Sequence, residues 1–390
     1  MRLLKFIFLF AAVLLLNTSF YLPVENIQIR VFTHLKVNAL SMSIYTGSYK
    51  VQCDGVWINS YKPGFPIVLQ YGNDSIEILQ EGKQIAIGKY IKFFGEQGAE
   101  MKVKLMSPDR KLRNYQENLS FEVIDNSIRV INDIELDNYI AGVAEAEAGS
   151  RSALEFYKVQ AILARTFALA HINKHVTEGF SLCDQVHCQA YLGRPRDLSI
   201  YKALELTRNQ VVVDENLNLI VAAFHSNSGG QTANSEDVWG SRTPYLRGII
   251  DTFSMRMPNA KWERKMTTDD WLSYLKVKHG YPINDADAKQ AALNFTQENR
   301  KVFLEYNYNR VPLKNIRADL QLKSTYFDIM PLGKDSVLFK GHGYGHGLGM
   351  PQEGAMRMVK LGYKYQDVLN FYYQDIQLID LHKLNFFKDE

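Results

Sequence analysis

The chain has 390 residues, 46% of them hydrophobic and 22% charged, with a net charge of +3. The length exceeds one ordinary domain, so two packed units of globular composition are expected. So weak a charge argues against a dedicated nucleic-acid binder, which needs a concentrated basic face; the 22 Tyr and 21 Phe supply flat rings for stacking on sugars.

At the amino end, Arg2 and Lys5 precede the apolar run "FIFLFAAVLLL". This run has signal-peptide length and is short for a bilayer span. Residues 1–20 are therefore expected to be a signal peptide or a short N-terminal anchor, which makes the protein exported: periplasmic or otherwise extracytoplasmic. The alternative is an amphiphilic helix that stays in the cytosol. No Cys follows that would carry a lipid, and no second apolar run is long enough to cross a membrane.

Residues 21–130 read as a β-rich accessory domain. "NIQIRVF", "SMSIYTG", "SIEILQ", "QIAIGKYIKFF" and "LSFEVI" cluster or alternate β-formers between turns such as Gly72-Asn73-Asp74 and Glu81-Gly82. The pattern changes at "IELDNYIAGVAEAEAGS". Ile140, Val143, Ala144 and Glu147 share one helical face, and Gly149 is placed to end the helix. Ser152 with Glu155 has the spacing of a capping box for a second helix. That helix, "ALEFYKVQAILARTFALAHINKH", is apolar almost all round and belongs in an interior. Next come a Cys/His loop, a hairpin expected from "QVVVD" and "LNLIVAAF" with its turn at Glu215-Asn216, a Ser/Gly-rich segment and further strands. A glycine loop, "GHGYGHGLGM", and a helix near "EGAMRMVKLGY" follow. The expected fold class is α+β: a β-rich N-terminal domain, then a mixed domain over 131–385 with two central helices and a groove.

Several residues could carry chemistry. Glu147 continues the apolar stripe to the helix end, so its carboxyl should be desolvated and its pKa raised, as a general acid requires. The bland reading pairs it with a buried cation such as Arg165, while Glu145 lies on the other, solvated side. Cys183, His187 and Cys188 fall within six residues, "CDQVHC", and suit a structural zinc with His175 as fourth ligand. A Cys183–Cys188 disulfide, leaving Cys53 odd, is the alternative. "FHSNSGGQTANSEDVWG" lacks a serine-nucleophile elbow. Its hydroxyls and amides beside Trp239 suit a polyol, or else simply form a turn-rich loop. The glycine loop matches no phosphate-binding pattern. Alternate glycines allow close backbone approach to a surface or ligand, with His342, Tyr344 and His346 projecting from a groove wall.

Together these segments resemble the SpoIID/LytB family of bacterial cell-wall proteins. Tyr139, Gly142, Val143 and Glu147 match its "Y-x-x-G-V-x-x-x-E" helix, and "EFYKVQAILARTFAL" its next helix. "HSNSGG", "SEDVWG" and "PYL" match its central segment, and "GHGLGMPQEGA" its terminal motif. Ala148-Gly149 stands where the family usually has Met-Pro, and Pro351 and Glu353 replace the usual Ser and Tyr. The resemblance implies a peptidoglycan lytic transglycosylase that forms 1,6-anhydro-muramic ends, with Glu147 as catalytic residue. It implies peptide-stripped glycan strands as partner, sugar contacts from His225, Ser226, Ser228, Trp239, His342, Tyr344 and His346, and Arg165 orienting the groove. No cofactor is required for that chemistry. A non-catalytic enhancer of a wall amidase is the alternative, and a metalloenzyme using Cys183, His187 and Cys188 a third reading.

Overall fold

Strands run without a helix through the first hundred described residues: β1 (Asn26–Val31), β2 (Ala39–Thr46), β3 (Tyr49–Cys53), β4 (Val56–Tyr61), β5 (Ile67–Gly72), β6 (Ser75–Gln80), β7 (Lys83–Gly88), β8 (Tyr90–Gly95), β9 (Glu100–Ser107), β10 (Arg113–Gln116), β11 (Asn118–Ile124) and β12 (Ser127–Glu135). The computed structural model describes residues 26–96 and 98–381. The N-terminal apolar run lies outside them. No helix among the described residues is long and apolar enough to cross a membrane.

Alternating burial, as in β2 and β6, turns one face of such strands inward, while β4 and β7 are exposed almost throughout. The strands form a six-stranded sheet, β10-β9-β2-β5-β6-β7, and a larger sheet, β13-β1-β12-β11-β8-β3-β4, in which β13 is Leu182–Cys183. Their inner faces and the central helices share one apolar core, from Ile27 to Tyr373. The boundary expected near residue 130 thus falls inside β12, which runs straight into α1 (Leu136–Ala148).

Gly149 closes α1 at φ 73, donating to Glu145 O. The capping box does not form. α2 (Leu154–Ala170) has Ala153 at its N-cap without a side-chain bond. The Ser152 hydroxyl instead donates back to Ala148 O, while Glu155 takes Lys158 Nζ and the Tyr365 N–H. Tertiary partners outcompete the local motif. As its composition requires, α2 is buried nearly throughout. It packs against α1, α3 (Ser199–Leu206), β14 (Gln210–Val213) and the C-terminal helices.

The expected hairpin is reduced to its turn. Asp214 caps the N–H groups of Asn216 and Asn218, but only Val213 and Leu219 form a bridge across it. β14 takes its ladder partner from the far end of the chain, β22 (Gln377–Asp380). After β15 (Phe224–His225) and α4 (Ser235–Trp239), the chain builds a lobe with its own core. The lobe comprises β16 (Lys261–Thr267), α5 (Thr268–His279), α6 (Ala286–Leu293), β17 (Phe303–Tyr306), β18 (Asn309–Pro312), α7 (Leu313–Asp319), β19 (Phe327–Leu332) and β20 (Ser336–His342). β20 delivers the glycine loop to β21 (Met350–Pro351), then α8 (Gln352–Lys360) and α9 (Tyr365–Tyr372). The architecture is α+β, as expected.

Candidate functional site

Two segments more than a hundred residues apart build the wall of the site. β15 pairs in parallel with β21, Phe224 opposite Met350, and Asn227 and Tyr344 exchange backbone hydrogen bonds of 3.0 and 2.8 Å. The glycines make this possible. Gly343, Gly345, Gly347 and Gly349 all have positive φ, and a Cβ on Gly349 would lie 2.0 Å from Ala223 O. Gly343 and Gly349 thus approach the protein's own backbone at 227–229 and 223, while Gly345 lies against His225 and Gly347 against the Arg300 guanidinium, so the surface approached is the protein's own.

This alternation aims the side chains. Tyr344 is 45% exposed, and Trp239, closing α4, is 46% exposed with its ring 6.4 Å from that of His346. These rings can present an aromatic face to a sugar. His346 is held on both nitrogens, accepting from the Leu348 N–H and donating to Phe224 O. Burial pushes its pKa down to about 4, helped by Arg317 and Arg300, so it is neutral. His225 is buried and donates from Nδ1 to Leu348 O at 2.9 Å; its Nε2 has no partner among the described residues. His342 sits 4.0 Å from Asp328 and against Tyr326.

Other expected contacts serve the fold. Ser228 is fully buried and donates to Asp251 at 2.7 Å. Ser226 is half-buried, its hydroxyl accepting from Asn259 and its carbonyl from the Glu353 N–H. Arg165, 1% exposed, binds Asp137, Thr207 O and Gln210 O. It neither pairs with Glu147 nor reaches the groove wall with a free donor; it ties α1 to α2 and β14.

Glu147, half-buried in the last turn of α1, follows the buried Ile140, Val143 and Ala144 on the same helical face. Gly142 on the preceding turn admits Tyr191 and the Gly193 carbonyl, which a Cβ would meet at 2.5 and 2.4 Å. Burial raises the Glu147 pKa above its usual 4.5, against the lowering effect of the Ala190 N–H and the Gln352 side chain. Gln352 Nε2 donates to Glu147 O at 3.2 Å and reaches Oε2 at 3.4 Å. Because Gln352 opens α8 directly after β21, it joins the carboxyl group to the ladder carrying both loops.

The neighbouring acids are engaged. Glu145 is not simply solvated: it holds the N–H groups of Arg196 and Asp197. Glu353 binds Asn227 and Asn259, knitting the two loops where the family usually has Tyr. Sequence reasoning gave no role to Gln352 or Ala190. Gln352 stood inside a quoted motif; nothing local marks the Ala190 backbone.

The four thiol and imidazole groups do come together. The donor atoms of His175, Cys183, His187 and Cys188 all lie within 4.8 Å of one another. Cys183 and Cys188 are free thiols, not a disulfide. Their sulfurs stand 3.8 and 3.7 Å from His187 Nδ1, and Cys188 is 3.5 Å from His175 Nε2. A tetrahedral zinc with the usual bond lengths needs ligand edges of about 3.6 Å. His175 also presents its second nitrogen to Glu178, the outer-sphere carboxylate that orients a ligating imidazole. The donor set fits zinc, with no position left open for chemistry. The loop ends at Ala190, whose N–H meets Glu147.

Glu147, with its raised pKa, is thus tied through Gln352 to the β15–β21 pair, near which Tyr344 and Trp239 expose their rings. The signature of the SpoIID family, stage II sporulation protein, matches residues 124–213, which carry both Glu147 and the Cys/His cluster. Stage II sporulation protein D of Bacillus subtilis is 26% identical over 276 residues, covering 67% of this chain and 79% of that protein. The amidase enhancer of Bacillus subtilis is 27% identical over 286 residues, 60% of this chain and 39% of that protein. An uncharacterised protein of Brachyspira hyodysenteriae is 26% identical over 280 residues, covering 70% and 74%. These matches support assignment of the chain to the SpoIID/LytB family.

Proposed function

We propose that the chain is a lytic transglycosylase that cleaves peptide-stripped peptidoglycan between N-acetylmuramic acid and N-acetylglucosamine. The observation that carries this reading is Glu147: a half-buried carboxyl whose pKa burial raises, held by Gln352 and Ala190 and tied through Gln352 to the β15–β21 pair, whose glycine loop exposes Tyr344 and sets His346 against exposed Trp239. Protonated Glu147 donates to the glycosidic oxygen as the C1–O bond breaks. The resulting carboxylate takes the proton from the muramic C6 hydroxyl, whose oxygen attacks C1 and closes the 1,6-anhydro ring. The proton returns to Glu147, so no water is consumed and one carboxyl group suffices, unlike two-carboxylate hydrolysis. Exposed Trp239 and Tyr344 would stack on the sugars. A wall enzyme of this kind works outside the cytoplasm, in keeping with the N-terminal apolar run. His175, Cys183, His187 and Cys188 would hold a structural zinc that braces the loop ending at Ala190.

The likeness to an amidase enhancer favours one other reading. The same wall would bind glycan and present it to an amidase, with no need for an ionisable group at 147. Mass spectrometry of peptide-free glycan after incubation decides between them. New 1,6-anhydro-muramic ends support the transglycosylase, new reducing ends indicate a hydrolase, and binding without cleavage leaves the enhancer.

A further inference from the structure

The second lobe brings three cations to the glycine loop without an acid to balance them. Arg300 inserts beneath it, donating to Gln231 O at 2.6 Å and Ser228 O at 2.7 Å, with its guanidinium 4.9 Å from the Tyr326 ring centroid. Arg317, in the last turn of α7, buries an Nε that has no partner among the described residues. Lys323 is exposed, with its ammonium 5.5 Å from the Tyr344 ring centroid, and its carbonyl takes the Gly345 N–H. None of the three has an ion-pair partner among the described residues. Asp328, the lobe's carboxylate near the loop, faces His342 and accepts from the Gln297 N–H instead.

A partly buried guanidinium without a counter-charge is costly unless an anion arrives to pair with it. The adjacent His225 and His346 cannot be that anion, and Arg300 and Arg317 help keep both neutral. Arg300 is already committed to carbonyl groups, so it acts as a fixed positive field, whereas Arg317 and Lys323 retain donors for a ligand. Their neighbour is Tyr344, one of the two exposed rings on the wall.

We propose that Arg317 and Lys323, backed by Arg300, form an anion subsite beside Tyr344 that takes a carboxylate of the bound strand. The group is the lactyl carboxylate of muramic acid. It rests on the glycan-strand reading above and refines it. In an intact wall this carboxyl group is an amide to the peptide and carries no charge; it is free only where the peptide has been removed. The subsite therefore lets the protein distinguish stripped strands by charge rather than by size alone. A pair of charge-assisted hydrogen bonds in a half-buried site corresponds to roughly tenfold in affinity.

The test uses full-length Glu147→Gln protein, so that strands persist, and measures binding to three probes: peptide-free strands, the same strands with their lactyl carboxyls converted to neutral amides, and peptide-bearing strands. The expected result is about tenfold tighter binding of peptide-free than of amidated strands, shrinking toward one in Arg317→Gln and in Lys323→Gln. Lys323 is exposed, so its substitution leaves folding out of account. Equal binding of the first two probes, or a preference untouched by both substitutions, would overturn the subsite while leaving the glycan reading standing. An equal, arginine-dependent gain on peptide-bearing strands would overturn the lactyl assignment. Binding of none of the probes would remove the glycan reading, and the subsite with it.

Discussion

Replacing Glu147 by Gln separates chemistry from architecture. The side chain keeps its length and an oxygen that can accept the Ala190 N–H. The anchoring bond from Gln352 to Glu147 O at 3.2 Å is to the backbone and survives; only the longer 3.4 Å contact to the carboxylate is altered. What disappears is the proton. A positioned general acid contributes on the order of 10²–10⁴-fold, so turnover should fall about a thousandfold, roughly 4 kcal/mol of barrier. Stability should move the other way. Burial raises the folded-state pKa above 4.5, so the carboxyl group's favourable contribution is complete below the unfolded pKa. It is lost as pH rises through the folded pKa. The Gln variant has no such loss, and above that window it should melt at or above the wild-type temperature. The assay is release of 1,6-anhydro-muramic ends from peptide-free glycan against pH, beside thermal unfolding at the same pH values. Wild-type activity should decline as pH rises through the raised pKa. Activity within about tenfold of wild type would refute the acid–base role. A large fall in melting temperature would mean the carboxylate is an internal anchor.

The Gln352 side chain lowers the Glu147 pKa, so Gln352→Ala should raise it. The alkaline limb should shift upward while kcat/KM falls about tenfold, and an unmoved pH profile would disprove the contact's role. The Cys/His cluster should hold one zinc per chain by elemental analysis. Chelation should lower the melting temperature by at least about 5 °C without abolishing activity in protein that remains folded. Loss of activity with an intact fold would instead favour a metalloenzyme, and a disulfide recovered by mass spectrometry would exclude the ligand set. Gly349→Ala forces a Cβ to 2.0 Å from Ala223 O at φ 61, and urea unfolding should register a loss of at least about 2 kcal/mol. A neutral result would mean that the two loops need not touch.

Short-range rules made parts of this protein legible in the sequence. The 3.6-residue period alone put Glu147 on the face of α1 that carries Ile140, Val143 and Ala144, and Gly149 alone marked its end, because both depend only on neighbours in the chain. The strands of residues 26–135 and the interior character of α2 followed likewise from alternation and composition. The spacing of Cys183, His187 and Cys188 put two thiols and an imidazole in one short loop, but the free thiols and the approach of His175 belong to the folded chain. Where two partners competed, the sequence misled: Ser152 and Glu155 carry a capping box that Ala148 and Tyr365 take apart. Arg165 and Ser228 look like groove residues until Asp137 and Asp251 are found bound to them.

The alternation of glycines in 341–349 signals close approach, yet only the fold identifies the surfaces approached as residues 223–229, Trp262 and Arg300. Arg300, Arg317 and Lys323 are ordinary cations in the chain, and a net charge of +3 gives no hint of them. They become a site because the second lobe sets them, without acids, against a loop that follows them in sequence. Periodicity and capping are properties of adjacent residues and can be read one turn at a time. The pairing of a buried polar group depends on which distant segment reaches it first, and that is decided only when the whole core closes.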